Sequence, residues 1–144
     1  MYDAASSWLA HCRQTIETYF GIEIPVSHLD PDGAVALART CNWFAKCTGD
    51  YSPKVMAFAA ASCLPGVEGG WDWDGCFRIR GPVSDRWAIA HDPYGELYAA
   101  LRELDSPLRD ARVAGEWDGR ILQPWSIEVL LGLPTTRARV MSRA

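Results

Sequence analysis

Three residue types in the sequence would suit covalent hydrolysis of an amide. Cys41 begins the segment CNWFA (residues 41–45), and His91 and Asp92 follow fifty residues later. A thiolate can attack a carbonyl carbon when an imidazole takes the thiol proton and a third group orients that imidazole. The residues therefore allow a catalytic triad made of Cys41, His91 and Asp92.

The order Cys-x-Trp-aromatic-Ala resembles the nucleophile segment of the CHAP-type cysteine amidohydrolases, which cut peptidoglycan. The resemblance covers five residues and implies a nucleophilic role for Cys41. In that family the cysteine begins a helix, where the helix dipole lowers the thiol pKa. Here the helix begins near Pro31, which places Cys41 almost three turns inside it, and Asp92 is the expected N-cap of another helix. We therefore favour a buried thiol and a histidine at a strand end, and keep a small cysteine hydrolase as an alternative.

A second candidate site is the acidic segment GVEGGWDWDG, residues 66–75, which contains no basic residue. Its four glycines disfavour a helix, so its two tryptophans are expected on an exposed loop. A tryptophan beside acidic groups suits docking on a basic protein surface, because tryptophan anchors dominate many interfaces. The alternative is that one tryptophan folds back into the core. The residues assigned to a partner interface here are Glu68, Trp71, Asp72, Trp73 and Asp74.

Residues 76–90 alternate in polarity on both sides of the turn-rich stretch GPVSD, which predicts an antiparallel hairpin. If Arg80 lies opposite Arg86, one face faces the core and the other carries three arginines. The predicted core side chains are Phe77, Ile79, Trp87 and Ile89, and the predicted arginine face consists of Arg78, Arg80 and Arg86.

The arginine face is part of the predicted partner interface and also suggests another function. Guanidinium groups are planar donors that bind carboxylates or phosphates, so a phosphate- or nucleic-acid-binding module is a second alternative. Ion pairs with Asp72, Asp74 and Asp85 would instead neutralise these arginines. Since no cluster of lysine and arginine forms a dominant basic stripe, nucleic acid is not an expected partner.

We predict no metal ion and no cofactor. The fragment DWDG at residues 72–75 would need an acid or amide at Gly70 and a glutamate at Gly81 to be a calcium loop. The sequence contains no CxxC pair, and its three histidines are scattered. The phosphate-binding, dinucleotide-binding and serine-hydrolase motifs are also missing.

The elements that must position these residues are mostly helices. Asp-Pro or Ser-Pro pairs occur four times, and this pattern is typical of a helix N-cap followed by the first helical residue. The predicted helices are residues 4–19, 31–47, 53–64 and 93–104, with shorter ones near 107–113 and 125–131. We expect a single compact α+β domain over residues 1–144, rich in helix, with a small antiparallel hairpin or sheet at about residues 76–90.

The composition favours a binding protein over an enzyme. The chain has 144 residues, a net charge of −4, seven tryptophans and five cysteines, and its only lysines are Lys46 and Lys54. It lacks a secretory signal and any apolar run of about 18 residues, so we expect a cytoplasmic protein with reduced thiols and no membrane contact. The predicted function is a small inhibitor that masks a basic surface of another protein. It would resemble in character an immunity protein or an anti-defence protein of a phage or mobile element. The sequence leaves the oligomeric state open.

Overall fold

The computed structural model describes residues 3–113, which form four helices and one three-stranded sheet. The sheet is antiparallel, with the strand order β1-β2-β3. The predicted α+β class is therefore confirmed, while the helix predicted near 125–131 lies outside the described residues. The elements are α1 (Ala4–Phe20), α2 (Pro31–Thr48), α3 (Ser52–Ala61), β1 (Glu68–Trp71), β2 (Phe77–Arg80), β3 (Ala88–Ala90) and α4 (Glu96–Glu103).

The first two helices have the ends that the sequence predicts. The Asp30 carboxylate accepts a hydrogen bond of 3.0 Å from the backbone N–H of Gly33, and Pro31 occupies the first turn of α2. Both helices end at a glycine in the left-handed conformation, Gly21 for α1 and Gly49 for α2. Glycine adopts this conformation without the steric cost of a Cβ, which is why it ends helices so often.

The later helices differ from the prediction. Helix α3 ends at Ala61, and its N-cap is Tyr51 rather than the expected Ser52. Helix α4 begins at Glu96 after a turn, so its N-cap is Gly95 and the prediction of Asp92 is wrong. The helix predicted at 107–113 is wrong, since residues 107–110 form turns. The Ser106 hydroxyl, which the sequence predicts as a helix N-cap, accepts a hydrogen bond of 3.1 Å from the N–H of Leu108 within a turn. Serine favours both arrangements, so its presence before a proline does not distinguish them.

Helix α3 is the centre of the helical layer. Its residues 57–61 are fully buried, and the helix packs against α1, α2 and α4. The nearly uniform apolar sequence predicts this position, because a helix without a polar face must be covered on all sides. The sheet packs on α2, and Phe77 and Ile79 of β2 join the same hydrophobic cluster as α3.

The pairing of β2 with β3 differs by one residue from the prediction. Phe77 lies opposite Ala90 and Ile79 lies opposite Ala88, so the core side of β3 carries alanines. A shift of one residue moves every side chain of a strand to the other face. Trp87 and Ile89, predicted on the core face, therefore lie on the arginine side, where Arg78 and Arg80 contact the Trp87 ring.

A contact between α2 and the β2–β3 connection holds this register. The Asp32 carboxylate accepts a hydrogen bond of 3.0 Å from the N–H of Ser84 and a longer one from the N–H of Val83. A Cβ at Gly81 would overlap the same carboxylate. Only a glycine at this position lets the chain leave β2 so close to the start of α2.

Candidate partner-binding turn and neighbouring cleft

The connection between β1 and β2, residues 72–76, is tied together by the backbone and side chain of one residue. The Asp72 carboxylate accepts hydrogen bonds of 2.9 Å from the N–H groups of Asp74 and Cys76. The Asp72 N–H donates to the Cys76 carbonyl at 2.9 Å, and the Gly75 N–H donates to the Asp72 carbonyl at 3.1 Å. We call this segment the β1–β2 turn. Its backbone is fixed by hydrogen bonds before any partner arrives.

The two tryptophans of the acidic segment have different environments. Trp71 lies in β1, where the sequence predicted a loop, and its indole N–H donates to the Arg109 carbonyl at 2.7 Å. Its ring packs on Phe77 with the centroids 5.0 Å apart. Trp73 lies in the β1–β2 turn, and 79% of its surface is exposed. Trp71 therefore follows the alternative of folding back against the core, and Trp73 is the tryptophan presented to solvent.

Two of the three acids in this segment have partners within the sheet. Asp72 and Arg78 are buried together, with 2% of the Asp72 side chain and 4% of the Arg78 side chain exposed. The Arg78 Nε lies 3.6 Å from the Asp72 Oδ2. Glu68 of β1 forms an exposed ion pair with Arg80, its neighbour across the strands. Asp74 is exposed and makes no ion pair within the described residues. Less acidic surface remains around Trp73 than the sequence alone suggests.

The predicted arginine face is a stack around one indole. The guanidinium carbons of Arg78 and Arg80 lie 4.9 Å and 4.5 Å from the centroid of Trp87. The electron-rich face of an indole attracts cations, so this arrangement stabilises both arginines in place. Arg86 is half-buried beside Arg39, where burial and the charge of Arg86 lower the Arg39 pKa to about 10. Arg78 is buried, while Arg80 and Arg86 are partly exposed.

Cys41 is fully buried and lies against another cysteine. Burial and a hydrogen bond with Cys12 raise the pKa of the Cys41 thiol well above its ordinary value. The Cys12 thiol in turn donates to the Pro53 carbonyl at 3.4 Å. A thiol that loses its proton only with difficulty and has no access to solvent is a poor nucleophile.

His91, predicted as the base for Cys41, lies beside a different thiol. The Cys76 Sγ is 3.2 Å from the His91 Nδ1, and the Asp92 carboxylate accepts from the N–H groups of Leu97 and Tyr98. The structure thus places Cys41, His91 and Asp92 in three separate sets of contacts. The sequence did contain a signal for the Cys76–His91 pair. These residues flank the predicted hairpin at its two ends, and antiparallel pairing brings such ends together.

The surroundings of Cys76 favour the protonated form of its thiol. Burial, followed by the charges of Asp72 and Asp74, raises the pKa of the Cys76 thiol, so the thiol keeps its proton at neutral pH.

A cleft of about 530 Å³ opens beside His91, between α2, α3 and the start of α4. Its volume lies in the range of small-molecule sites, which is about 300–1,000 Å³. Both lysines of the chain line it, and neither makes an ion pair within the described residues. We call it the lysine cleft. Its further lining includes Asn42, Tyr51, Val55, Asp92, Tyr94 and Leu97.

Comparison of the chain with protein-family models, with curated proteins and with solved structures finds no match. Residues 3–113 contain no group of three His, Cys, Asp or Glu side chains that could hold a metal ion. In the same part of the chain, no helix has the length and apolar character needed to cross a membrane. The functional argument therefore rests on the geometry of the β1–β2 turn and the lysine cleft.

Proposed function

We propose that the protein is a small binding protein that inhibits another protein by covering part of its surface, with Trp73 as the central contact. The observation that carries this proposal is the 79% exposure of Trp73 on a turn whose backbone is fixed. Tryptophan is enriched among the few residues that supply most of the binding free energy at protein interfaces. The exposed indole offers a partner a large apolar surface together with an N–H donor.

The fixed backbone of the β1–β2 turn supports this role. Binding is weakened by the entropy lost when flexible groups become ordered, so a turn that is already ordered binds more tightly. The hydrogen bonds of Asp72 supply that order, and the residue before the turn, Trp71, is held by its packing on Phe77. The partner would then gain most of the hydrophobic contact without an offsetting cost in chain entropy.

The charges near Trp73 favour a partner with a basic surface. Asp74 is exposed next to Trp73, and the chain as a whole carries a net charge of −4. Such charges increase the rate of association with a basic surface and have less influence on the final affinity. This charge pattern is consistent with inhibitors of the immunity-protein or anti-defence type, which block a basic nucleic-acid or substrate site.

The proposed location is the cytoplasm. The chain has five cysteines, an odd number without the regular spacing of a disulfide framework. Such cysteines suit a reducing compartment, where disulfides rarely form.

Affinity capture with a point variant tests the proposal. The immobilised chain is mixed with a lysate of the source organism, and the bound protein is identified and then titrated against purified variants. We expect Trp73→Ala to weaken binding by about 30-fold or more, the effect of losing a central tryptophan contact. Val83→Ala is the matched control, because Val83 is an equally exposed apolar side chain on the β2–β3 connection. If both variants bind their partner as the wild type does, Trp73 is not the contact and the proposal is wrong.

A further inference from the structure

The lysine cleft concentrates all the lysine of the chain at one place. Lys46 on α2 and Lys54 on α3 both line the cleft, and the remaining twelve basic residues of the sequence are arginines. The two lysines are eight residues apart on different helices, so the packing of α2 on α3 brings them together. The lysine cleft shares no lining residue with the β1–β2 turn, so an inference about the cleft does not depend on the function proposed above.

The positive charge of Lys54 is poorly compensated by its surroundings. Burial and the nearby charge of Lys46 lower the pKa of Lys54. Asp92 and Cys76 act in the opposite direction but with smaller effect. The ammonium group stands 5.5 Å from the centroid of the Tyr51 ring, and it makes no ion pair with a described residue. An anion placed beside Lys54 would relieve both the burial cost and the repulsion from Lys46.

The acidic side chains at the cleft do not occupy the position of such an anion. Asp92 accepts hydrogen bonds of 2.9 Å and 3.0 Å from the N–H groups of Leu97 and Tyr98, so its carboxylate serves the start of α4. Glu96 is exposed and lies more than 4.0 Å from either ammonium group. The two lysines therefore remain available to a ligand.

We propose that the lysine cleft binds a small organic anion, a carboxylate or phosphate on an apolar body, whose charged group lies between Lys46 and Lys54. Lysine is a common phosphate ligand in proteins, and a charged hydrogen bond in a partly buried site is stronger than one in water. The His91 imidazole also lines the cleft and offers a third polar group.

The rest of the cleft suits the apolar body of that ligand. Val55 and Leu97 supply aliphatic surface, and Leu97 is almost fully buried as a wall of the cleft. Tyr51 and Tyr94 are large aromatic side chains that remain exposed at the same site. An aromatic or aliphatic group between them would cover apolar surface that is now in contact with water.

Calorimetric titration of the full chain with a matched set of probes tests the site. The probes share a naphthalene ring: 1-naphthylacetate carries a carboxylate, 1-naphthyl phosphate carries a phosphate, and 2-(1-naphthyl)ethanol is neutral. We expect at least one anionic probe to bind about tenfold or more tightly than the neutral probe, because charge-assisted hydrogen bonds of this kind contribute at least that factor. The two anionic arms identify which group the lysines prefer. Amide shifts at Val55 and Leu97 in NMR spectra locate the bound ring.

Three variants show whether anion binding depends on the two lysines of the cleft or only on the net charge of the protein. Lys54→Met and Lys46→Met keep most of the apolar side chain, and each should weaken the anionic probe by about tenfold while leaving the neutral probe unchanged. Arg102→Met removes the same charge from α4 outside the cleft and should change affinity by less than about twofold. The proposal is overturned if the neutral probe binds as tightly as both anions or if no anion binds at millimolar concentration. It is also overturned if Arg102→Met weakens binding as much as the lysine variants do.

Discussion

Most charged side chains in and beside the β1–β2 turn form ion pairs, whereas the two lysines of the lysine cleft form none within the described residues. In and beside the turn, the charges meet partners that are close in the sequence: Asp72 pairs with Arg78 and Glu68 pairs with Arg80. In the cleft, Lys46 and Lys54 are brought together from two helices and find no carboxylate within 4.0 Å among the described residues.

This difference separates charges that hold the fold from charges that are available to a ligand. A buried pair is needed by the fold once it is formed, because losing one member leaves the other unpaired in a place that water does not reach. Two like charges in an open cleft do nothing for the fold, and their mutual repulsion opposes it. We therefore expect the turn to be sensitive to substitution in stability and the cleft to be sensitive in binding.

The largest effect on the free energy of unfolding is expected at the buried pair of Asp72 and Arg78. Asp72→Asn keeps a carbonyl oxygen to accept the turn hydrogen bonds but leaves the Arg78 guanidinium buried without its counter-charge. The free energy of unfolding should fall by about 3–5 kcal/mol, the range measured for broken buried pairs. Urea unfolding followed by tryptophan fluorescence measures it.

Two matched substitutions show whether burial is the cause. Glu68→Gln breaks the exposed pair with Arg80 on the same two strands and should cost at most about 1 kcal/mol. Asp74→Asn removes a charge from the same turn and should change stability by less than about 0.5 kcal/mol. Equal losses for Asp72→Asn and Glu68→Gln would mean that the buried pair contributes no more than the exposed one.

The bounds of α1 and α2 could be predicted because their signals are local. Proline after aspartate, glycine at a helix end and the apolar sequence of α3 each act within a few residues, and α1 and α2 have the predicted bounds to within a residue or two. The β2–β3 register could not be predicted this way. The contact of Asp32 with Ser84 that accompanies this register joins residues 52 apart in the sequence, so it is not visible before the chain is folded.

The candidate site shows the same division. The exposure of Trp73 could be predicted from its neighbours, but the different environment of Trp71 depends on the Arg109 carbonyl, thirty-eight residues away. The Cys76–His91 pair could have been found from the hairpin pattern. The lysine cleft could not, because the spacing of Lys46 and Lys54 says nothing about the angle at which α2 and α3 pack.

An intermediate effect is expected at the border between the two regions. Asp92→Ala removes the carboxylate that accepts from the N–H groups of Leu97 and Tyr98 at the start of α4. The free energy of unfolding should fall by about 1 kcal/mol, the usual contribution of a side chain that caps a helix. Glu96→Ala at the same cleft is the control and should change it by less than about 0.5 kcal/mol.

A double variant shows which region Asp92 serves. If Asp92 acts only on α4, the effects of Asp92→Ala and Lys54→Met on stability should add to within about 0.5 kcal/mol. A coupling of about 1 kcal/mol or more would show that Asp92 is an ionic partner of Lys54 and would remove the contrast between the turn and the cleft.

The smallest effect on stability is expected at Lys54 itself, and its dependence on pH gives the clearest evidence. Burial and Lys46 hold the folded pKa of Lys54 below its ordinary value of 10.5. Between these two values the unfolded chain binds more protons than the folded one, so this group makes stability rise with pH in that window. At neutral pH the lysine is charged in both states, and its charge opposes folding. The free energy of unfolding of Lys54→Met should therefore equal that of the wild type or exceed it by up to about 0.5 kcal/mol.

As the pH rises toward 10.5, the wild type should gain stability relative to Lys54→Met, and urea unfolding of both chains across this range measures the difference. Other titrating groups cancel in the comparison, since both chains contain them. A clear loss of stability in Lys54→Met at neutral pH would mean that the lysine holds the fold as Asp72 does. A variant that is as stable as the wild type but binds the anion about tenfold less tightly has lost a ligand contact, because a structural role would have lowered both quantities together.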